Sequence, residues 1–154
     1  MPSVTLDELQ RDLLLPQLDA FLAAAPDQEA RAPYAALRAA ITSLEVPDEL
    51  AGRLGSITEV LLTSGKIRSA HGPGSELALW ALFQKTPRGR DLMASVEGVN
   101  AALRELNGQS LEFAGAVARG PGAYALTLRT GELQIVIRFE PAGIRVESVD
   151  FGSE

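Results

Sequence analysis

The chain has 154 residues, of which 46% are hydrophobic and 22% charged, a composition typical of a globular domain and not of a disordered or fibrous chain. It contains no cysteine and a single histidine, which excludes disulfides and thiolate catalysis and argues against a structural zinc site. The net charge of −6 argues against nucleic acid as a partner, because the protein would repel phosphates.

The sequence predicts neither a signal peptide at the N-terminus nor a membrane span. The N-terminal segment has acids where a signal peptide needs basic residues, and no apolar run approaches the roughly 20 residues that a membrane span requires. We therefore expect a cytoplasmic protein with no membrane segment, no metal and no cofactor.

The charges are distributed unevenly along the chain. Residues 1–65 hold 4 basic and 10 acidic side chains, residues 66–90 hold 5 and 1, and residues 91–154 hold 5 and 9. Because the middle segment is basic in an acidic chain, it is the candidate surface for an anion or an acidic partner. The candidate contacts in it are Lys66, Arg68, His71, Lys85, Arg88 and Arg90.

The first two predicted helices are defined by a cap and by prolines. Thr5 and Glu8 have the spacing of a capping box, and Pro16 is expected to kink or break the helix that follows. A second helix is expected to start near Pro33, a residue type favoured at the first helical position. Its apolar positions recur at helical spacing: Tyr34, Leu37, Ile41 and Leu44.

Three more helices are predicted before residue 109. The third runs from Pro47 to Gly65, with acids in its first turn. The fourth is capped by Ser75, and its sequence "ELALWALFQK" is apolar enough to be buried on most sides. The fifth begins at Thr86 and Pro87 and ends at Asn107 and Gly108.

The stretch "AHGPGSE" at residues 70–76 admits two interpretations. Backbone N–H groups at a helix start, beside Lys66, Arg68 and His71, can bind a phosphate or carboxylate. Alternatively the proline and glycines form a turn, and His71 is a loop residue facing water. We favour the turn, because no P-loop pattern is present and no partner for a histidine general base is visible.

From Ser110 the hydrophobic period changes from helical to two, which predicts a four-stranded meander. A turn at Thr130–Gly131 would place Leu128 opposite Leu133, and the loop at residues 119–122 would place Val117 opposite Tyr124. Both turns then agree with one buried face. A bulge is expected near Glu147 and Ser148, because the apolar positions of the last strand change phase there.

The other face of the meander is predicted to be polar. Gly115 inside the first strand indicates a bend or a close packing contact. The polar positions surround Val136 and form a solvated face or a partner surface: Thr127, Arg129, Gln134, Arg138, Arg145 and Glu147.

Together these features predict one α+β domain over residues 1–154. A helical subdomain would cover residues 1–65, and a subdomain with the last helices and the four-stranded antiparallel meander would cover residues 66–154. About five helices are expected in all, with the meander packed on the last one. A helix followed by a bent four-stranded meander resembles the architecture of the cystatin and NTF2 folds.

The sequence shows none of the motifs of nucleophilic, metal-dependent or dinucleotide-dependent catalysis. We therefore expect a non-catalytic protein interaction module that self-associates and contacts a protein partner through its helices, its sheet or the basic 66–90 surface. One alternative is a small-molecule binder or modest enzyme with a pocket between the curved sheet and the fifth helix, with Tyr124 at its mouth. Another is anion binding at residues 66–75.

Overall fold

The computed structural model describes residues 2–152, and these contain six helices followed by a four-stranded antiparallel sheet. The α+β class predicted from sequence is thereby confirmed. None of the helices in residues 2–152 is long and apolar enough to cross a membrane. In chain order the elements are β1 (Ser3–Thr5), α1 (Glu8–Ala24), α2 (Gln28–Thr42), β2 (Glu45–Pro47), α3 (Asp48–Thr63), α4 (Lys66–His71), α5 (Pro73–Phe83), α6 (Pro87–Arg104), β3 (Phe113–Gly120), β4 (Ala123–Arg129), β5 (Leu133–Glu140) and β6 (Gly143–Phe151).

The chain divides into two compact units, residues 1–90 and residues 91–154, with the division inside α6. We call them the helical unit and the sheet unit. The subdomain boundary expected at residue 65 falls between α3 and α4, within the helical unit.

The helical unit is held together by the apolar stripes of its helices. The predicted stripe of α2 is confirmed at Leu37 and Ile41, which are fully buried, and Leu54 of α3 is fully buried as well. A short ribbon, in which Val4 of β1 pairs with Val46 of β2, closes over the same core and was not predicted. The largest fully buried side chains of this unit are Leu14, Leu18, Leu37, Ile41, Leu54, Ile67, Leu79 and Leu82.

The capping box of α1 uses different residues from those predicted. The Asp7 carboxylate accepts a hydrogen bond from the Gln10 backbone N–H at 2.8 Å, and the Gln10 side-chain oxygen accepts one from the Asp7 N–H at 3.0 Å. The prediction of Thr5 and Glu8 is wrong because Thr5 pairs with Glu45 in the β1–β2 ribbon. The helix can begin only after that ribbon has ended.

Pro16, which was expected to kink or break a helix, does not break it, and Pro33, which was expected to start a helix, lies inside one. Pro16 lies inside α1, which continues to Ala24, so no break occurs there. Pro33 does not start α2 but lies within it, because the helix begins at Gln28 after an Asp27 cap that accepts from the Ala30 N–H at 2.8 Å. In α2, the hydrogen bond of the Asp27 cap and the burial of the apolar stripe outweigh the loss of one helical hydrogen bond at Pro33.

The start and burial of α5 also differ from the prediction. The helix begins at Pro73 with Gly72 as its N-cap, so Ser75 lies inside the first turn and is not the cap. Gly72 has a φ of 88°, which a side chain would resist, and this residue alone separates α4 from α5. Leu77 is 66% exposed, so α5 is not buried on all sides, although Leu79, Leu82 and Phe83 are buried.

The sheet unit packs one sheet face on α6, as predicted. Its strand order is β3-β4-β5-β6, and Val99 of α6 is buried with Leu133, Ile135 and Ile137 of β5. The predicted bulge in β6 is confirmed: Val136 pairs with Ser148 and Ile137 with Val146, which leaves Glu147 as the extra residue.

The register between β4 and β5 differs from the prediction by two residues. Leu128 pairs with Ile135, not with Leu133, because the turn residues are Gly131 and Glu132. Thr130 closes this turn: its N–H donates to the Leu133 carbonyl at 2.9 Å, and its hydroxyl accepts from the Leu133 N–H at 3.1 Å. A shift of two keeps each side chain on its predicted face.

The register between β3 and β4 differs by one residue, which exchanges the faces of β3. Ala118, not Val117, pairs with Tyr124, because the ladder shifts between Ala118 and Gly120. Ala114, Ala116 and Ala118 therefore share the sheet face of Leu126 and Leu128. The prediction that the larger β3 side chains join the buried face is wrong: Phe113 and Val117 lie on the opposite face and are exposed.

Candidate functional site

The predicted anion loop is largely helical. Lys66, Arg68 and His71 lie on α4, a six-residue helix, and all three are exposed. His71 is therefore a helical residue and not a loop residue. The Arg68 guanidinium lies 3.8 Å from the carboxylate of Glu76, which is in the first turn of α5. The first turn of α5, where an anion was expected to bind, therefore already contains the carboxylate of Glu76.

The other three predicted contacts lie in different surroundings. The Lys85 ammonium donates to the Thr5 carbonyl at 3.2 Å, next to the β1–β2 ribbon. Arg88 forms an ion pair with Glu59 of α3 at 3.4 Å. Arg90 is exposed on α6. Lys66 and His71 line a common cavity, whereas Lys85, Arg88 and Arg90 do not line it.

The titrating groups with shifted pKa values form surface ion pairs. Hydrogen bonding to Arg38 lowers the pKa of Asp19 below its ordinary value, and hydrogen bonding to Asp12 raises the pKa of Arg11. Within residues 2–152, no group of three or more histidine, aspartate or glutamate side chains is arranged to hold a metal ion.

The most distinctive surface of the sheet unit is the free edge of β3. In the strand order β3-β4-β5-β6, β3 is a border strand with a partner on one side only. Its sequence "FAGAVARG" has no charge before Arg119. All eight residues are exposed except Gly115, which is half-buried. Border strands of this length usually carry charges, prolines or bulges that prevent pairing with another chain.

The hydrogen-bond pattern identifies which β3 groups face the free edge. Thr130, the residue after β4, donates its backbone N–H to the Leu133 carbonyl of β5, whereas the Arg129 carbonyl accepts from Glu112, the residue before β3. Because hydrogen-bonded pairs alternate along antiparallel strands, the odd-numbered residues of β4 bond to β3, and Phe113, Gly115 and Val117 bond back to them. The backbone N–H and C=O groups of the three alanines, Ala114, Ala116 and Ala118, therefore point away from the sheet.

The opposite border of the sheet is protected. β6 is interrupted by the bulge at Glu147 and carries Arg145 and Asp150 on either side of it. A bulge and charges on an edge strand oppose pairing with another strand. The β6 border is thus interrupted within the strand, whereas the irregularity of β3 lies at its end, between Ala118 and Gly120, and leaves Phe113 to Ala118 unprotected.

The polar face predicted around Val136 is present and contains a chain of ion pairs. Arg138 and Arg145 sit opposite each other on β5 and β6, a repulsive arrangement that Glu140 relieves by approaching them at 2.6 and 3.3 Å. The Arg138 Nε is buried and faces Glu140 as an ion pair, not as a well-aligned hydrogen bond. Glu147 extends the chain, at 3.5 Å from Arg138 and 3.8 Å from Arg119.

Phe113 covers the glycine predicted to make a close packing contact. A Cβ on Gly115 would lie 2.9 Å from the Phe113 ring, so the ring occupies the space that a side chain would need. The Arg129 guanidinium lies 5.2 Å from the centre of the same ring. Phe113 is thereby fixed on the polar face beside the free edge.

The space between α6 and the sheet, where sequence placed an alternative pocket, contains side chains of both elements. Leu103 of α6 and Leu106, two residues after the end of this helix, pack against the buried cluster that contains Ile135. Tyr124 pairs with Phe139 on neighbouring strands, and both rings are exposed.

Comparisons with protein-family models, with curated proteins and with solved structures found no match to this chain. The candidate site is therefore identified from the geometry of the β3 edge. Sequence reasoning found the polar face but missed the composition of the free edge. The signal for it was the run "AGAVA", which has no charged residue to oppose pairing.

Proposed function

We propose that this chain is a non-catalytic protein interaction module that self-associates by pairing β3 of one copy with β3 of a second copy. The observation that carries the proposal is the free edge of β3, which is exposed and uncharged from Phe113 to Ala118. An edge of this kind can gain another strand through its unused backbone groups.

A symmetric antiparallel pairing fits the direction of these backbone groups. With Ala116 opposite Ala116 of the second copy, Ala114 lies opposite Ala118 and the three outward residues form hydrogen-bonded pairs. About six backbone hydrogen bonds then join the two sheets. A twofold arrangement uses the same surface on both copies, as is usual in homodimers.

The side chains near this edge favour the same pairing. The alanines on one face are too small to obstruct a neighbouring strand. On the other face, Val117 would lie opposite Gly115 of the second copy, beside the Phe113 ring that covers this glycine. The apolar surface of Val117, which is 56% exposed, would become partly buried.

The test is sedimentation equilibrium over about a hundredfold range of concentration, because association obeys mass action. The unmodified chain should dimerise. Ala116→Pro should be monomeric, because it removes an outward N–H without removing a bond to β4, and proline is tolerated at edge positions. Ala116→Ser, which keeps that N–H, is the matched control and should dimerise.

A second variant separates pairing from folding. Ala116→Lys keeps the N–H but places like charges opposite each other across the twofold axis, and it should also weaken the dimer. Circular dichroism should show that each variant keeps its secondary structure. A wild-type chain that stays monomeric throughout, or an Ala116→Pro variant that dimerises like the wild type, would overturn the proposal.

A further inference from the structure

The helical unit contains an apolar groove between α1 and α3. It has a volume of about 320 Å³. Phe21 and Val60 on its walls are 45% and 65% exposed, although both are large apolar residues. The residues that define it are Phe21, Tyr34, Ile57, Val60, Leu61 and Gln17.

A second cavity of about 490 Å³ lies toward α4. Gln17 lines both cavities. On α1, Phe21 lies in the groove, one turn after Gln17. On the α3 side, Ser64 lies in the second cavity, one turn after Val60. The rise from Ile57, which lines the groove, to Ser64, the C-cap of α3, which lines the second cavity, is about 10 Å, a distance that one extended ligand can span.

The second cavity carries positive charge and hydrogen-bond donors. Lys66, Ser69 and His71 line it together with Ser64. Lys66 forms no ion pair with a carboxylate among the described residues, whereas its neighbour Arg68 is paired with Glu76. An ammonium group open to an anionic ligand thus lies in the cavity next to the apolar groove, with Gln17 between them.

We propose that this groove binds a single-chain fatty carboxylate, with its hydrocarbon chain between Phe21 and Val60 and its carboxylate at Lys66. The hydrocarbon chain needs no hydrogen-bond partners, which suits the apolar walls, and the carboxylate complements the ammonium group of Lys66. This site is in the helical unit and is independent of pairing at β3.

The test is calorimetric titration with decanoate, with decanol as the uncharged ligand of equal chain length and butanoate as the short carboxylate. Decanoate should bind more tightly than either, because only it engages both the apolar groove and Lys66. Lys66→Glu should weaken decanoate binding by about three- to tenfold, the range expected from losing an exposed ion pair and adding repulsion.

Val60→Glu should abolish decanoate binding, because it places a carboxylate in the apolar wall. Leu77→Glu is the matched control, since Leu77 is as exposed as Val60 but lies on α5 and does not line the groove. Leu77→Glu should bind decanoate like the wild type. Equal binding of decanol and decanoate, or wild-type affinity in Val60→Glu, would overturn the proposal.

Discussion

At the scale of single residues, Asp7 and Thr5 provide a direct test of the observed start of α1. Asp7→Ala should lower the free energy of unfolding by about 1 kcal/mol, because it removes the side-chain acceptor of the capping box. Urea unfolding followed by the fluorescence of Trp80, the only tryptophan, reports on the helical unit.

Thr5→Ala is the control for this experiment. Thr5 was the cap expected from sequence, but its role in the structure is in the ribbon, so the loss should stay below about 0.5 kcal/mol. A larger loss for Thr5→Ala than for Asp7→Ala would contradict the observed cap. The spacing of Asp7 and Gln10 fits a capping box as well as that of Thr5 and Glu8, so only the pairing of β1 with β2 decides between them.

The buried Gln10 illustrates a role that sequence periodicity does not reveal. Its side-chain amide donates to the Ala78 carbonyl of α5 at 2.8 Å while its oxygen serves the α1 cap. A polar residue among apolar positions is usually assigned to the surface. Here both of its polar atoms are satisfied, which makes burial acceptable.

At the scale of elements, the β6 bulge allows a specific deletion experiment. Removing Glu147 leaves Val146 opposite Ile137 and Val149 opposite Ile135, so both ends of the strand keep their faces. The deletion costs two surface ion pairs, to Arg119 and Arg138, and should change stability by no more than about 1 kcal/mol.

Nuclear Overhauser effects between β5 and β6 would check the deletion. Contacts of Val149 with Ile135 and of Val146 with Ile137 should both persist. Loss of either contact would show that the bulge is required for register and not only for placing Glu147 between two arginines.

The two hairpins show why strand existence was predictable but register was not. The alternation of apolar residues identified each strand and the change of phase at Glu147. Between β3 and β4, however, the extra residue at Arg119 shifts pairing by one, and β3 has apolar or small residues on both faces. Hydrophobic pattern therefore could not distinguish the two registers, since neither face of β3 is marked by charge.

At the scale of the whole molecule, net charge distinguishes the proposed self-pairing from an ionic interface. Each chain carries a net charge of −6, so two copies repel one another. Because salt screens this repulsion, a higher salt concentration should strengthen a dimer that is held by hydrogen bonds between β3 backbones. A dimer held by ion pairs between the basic 66–90 segment and an acidic surface would instead weaken as the salt concentration rises.

Sedimentation equilibrium at about 0.01 M and about 1 M salt checks this, because the Debye length falls from about 30 to about 3 Å over that range. The dissociation constant of the wild-type dimer should decrease as salt increases. An increase would indicate that ion pairs hold the dimer and would contradict pairing through β3.

The overall architecture could be predicted because it depends on the hydrophobic period, which changes near residue 109. The environment of the six basic residues could not, because it depends on contacts between residues distant in sequence. Lys85 meets Thr5 and Arg88 meets Glu59, whereas Lys66 and His71 share a groove whose other wall includes Gln17. The six basic residues are close together in the sequence, but they do not form one cluster in the structure.

The difference between the two borders of the sheet limits the size of the assembly. If both borders accepted strands, copies would add end to end and grow into fibres. With β6 protected, the pairing of two β3 strands uses the unprotected border of the four-stranded sheet in each copy. The expected stoichiometry is thus finite, and the same asymmetry guards the chain against open-ended polymerisation.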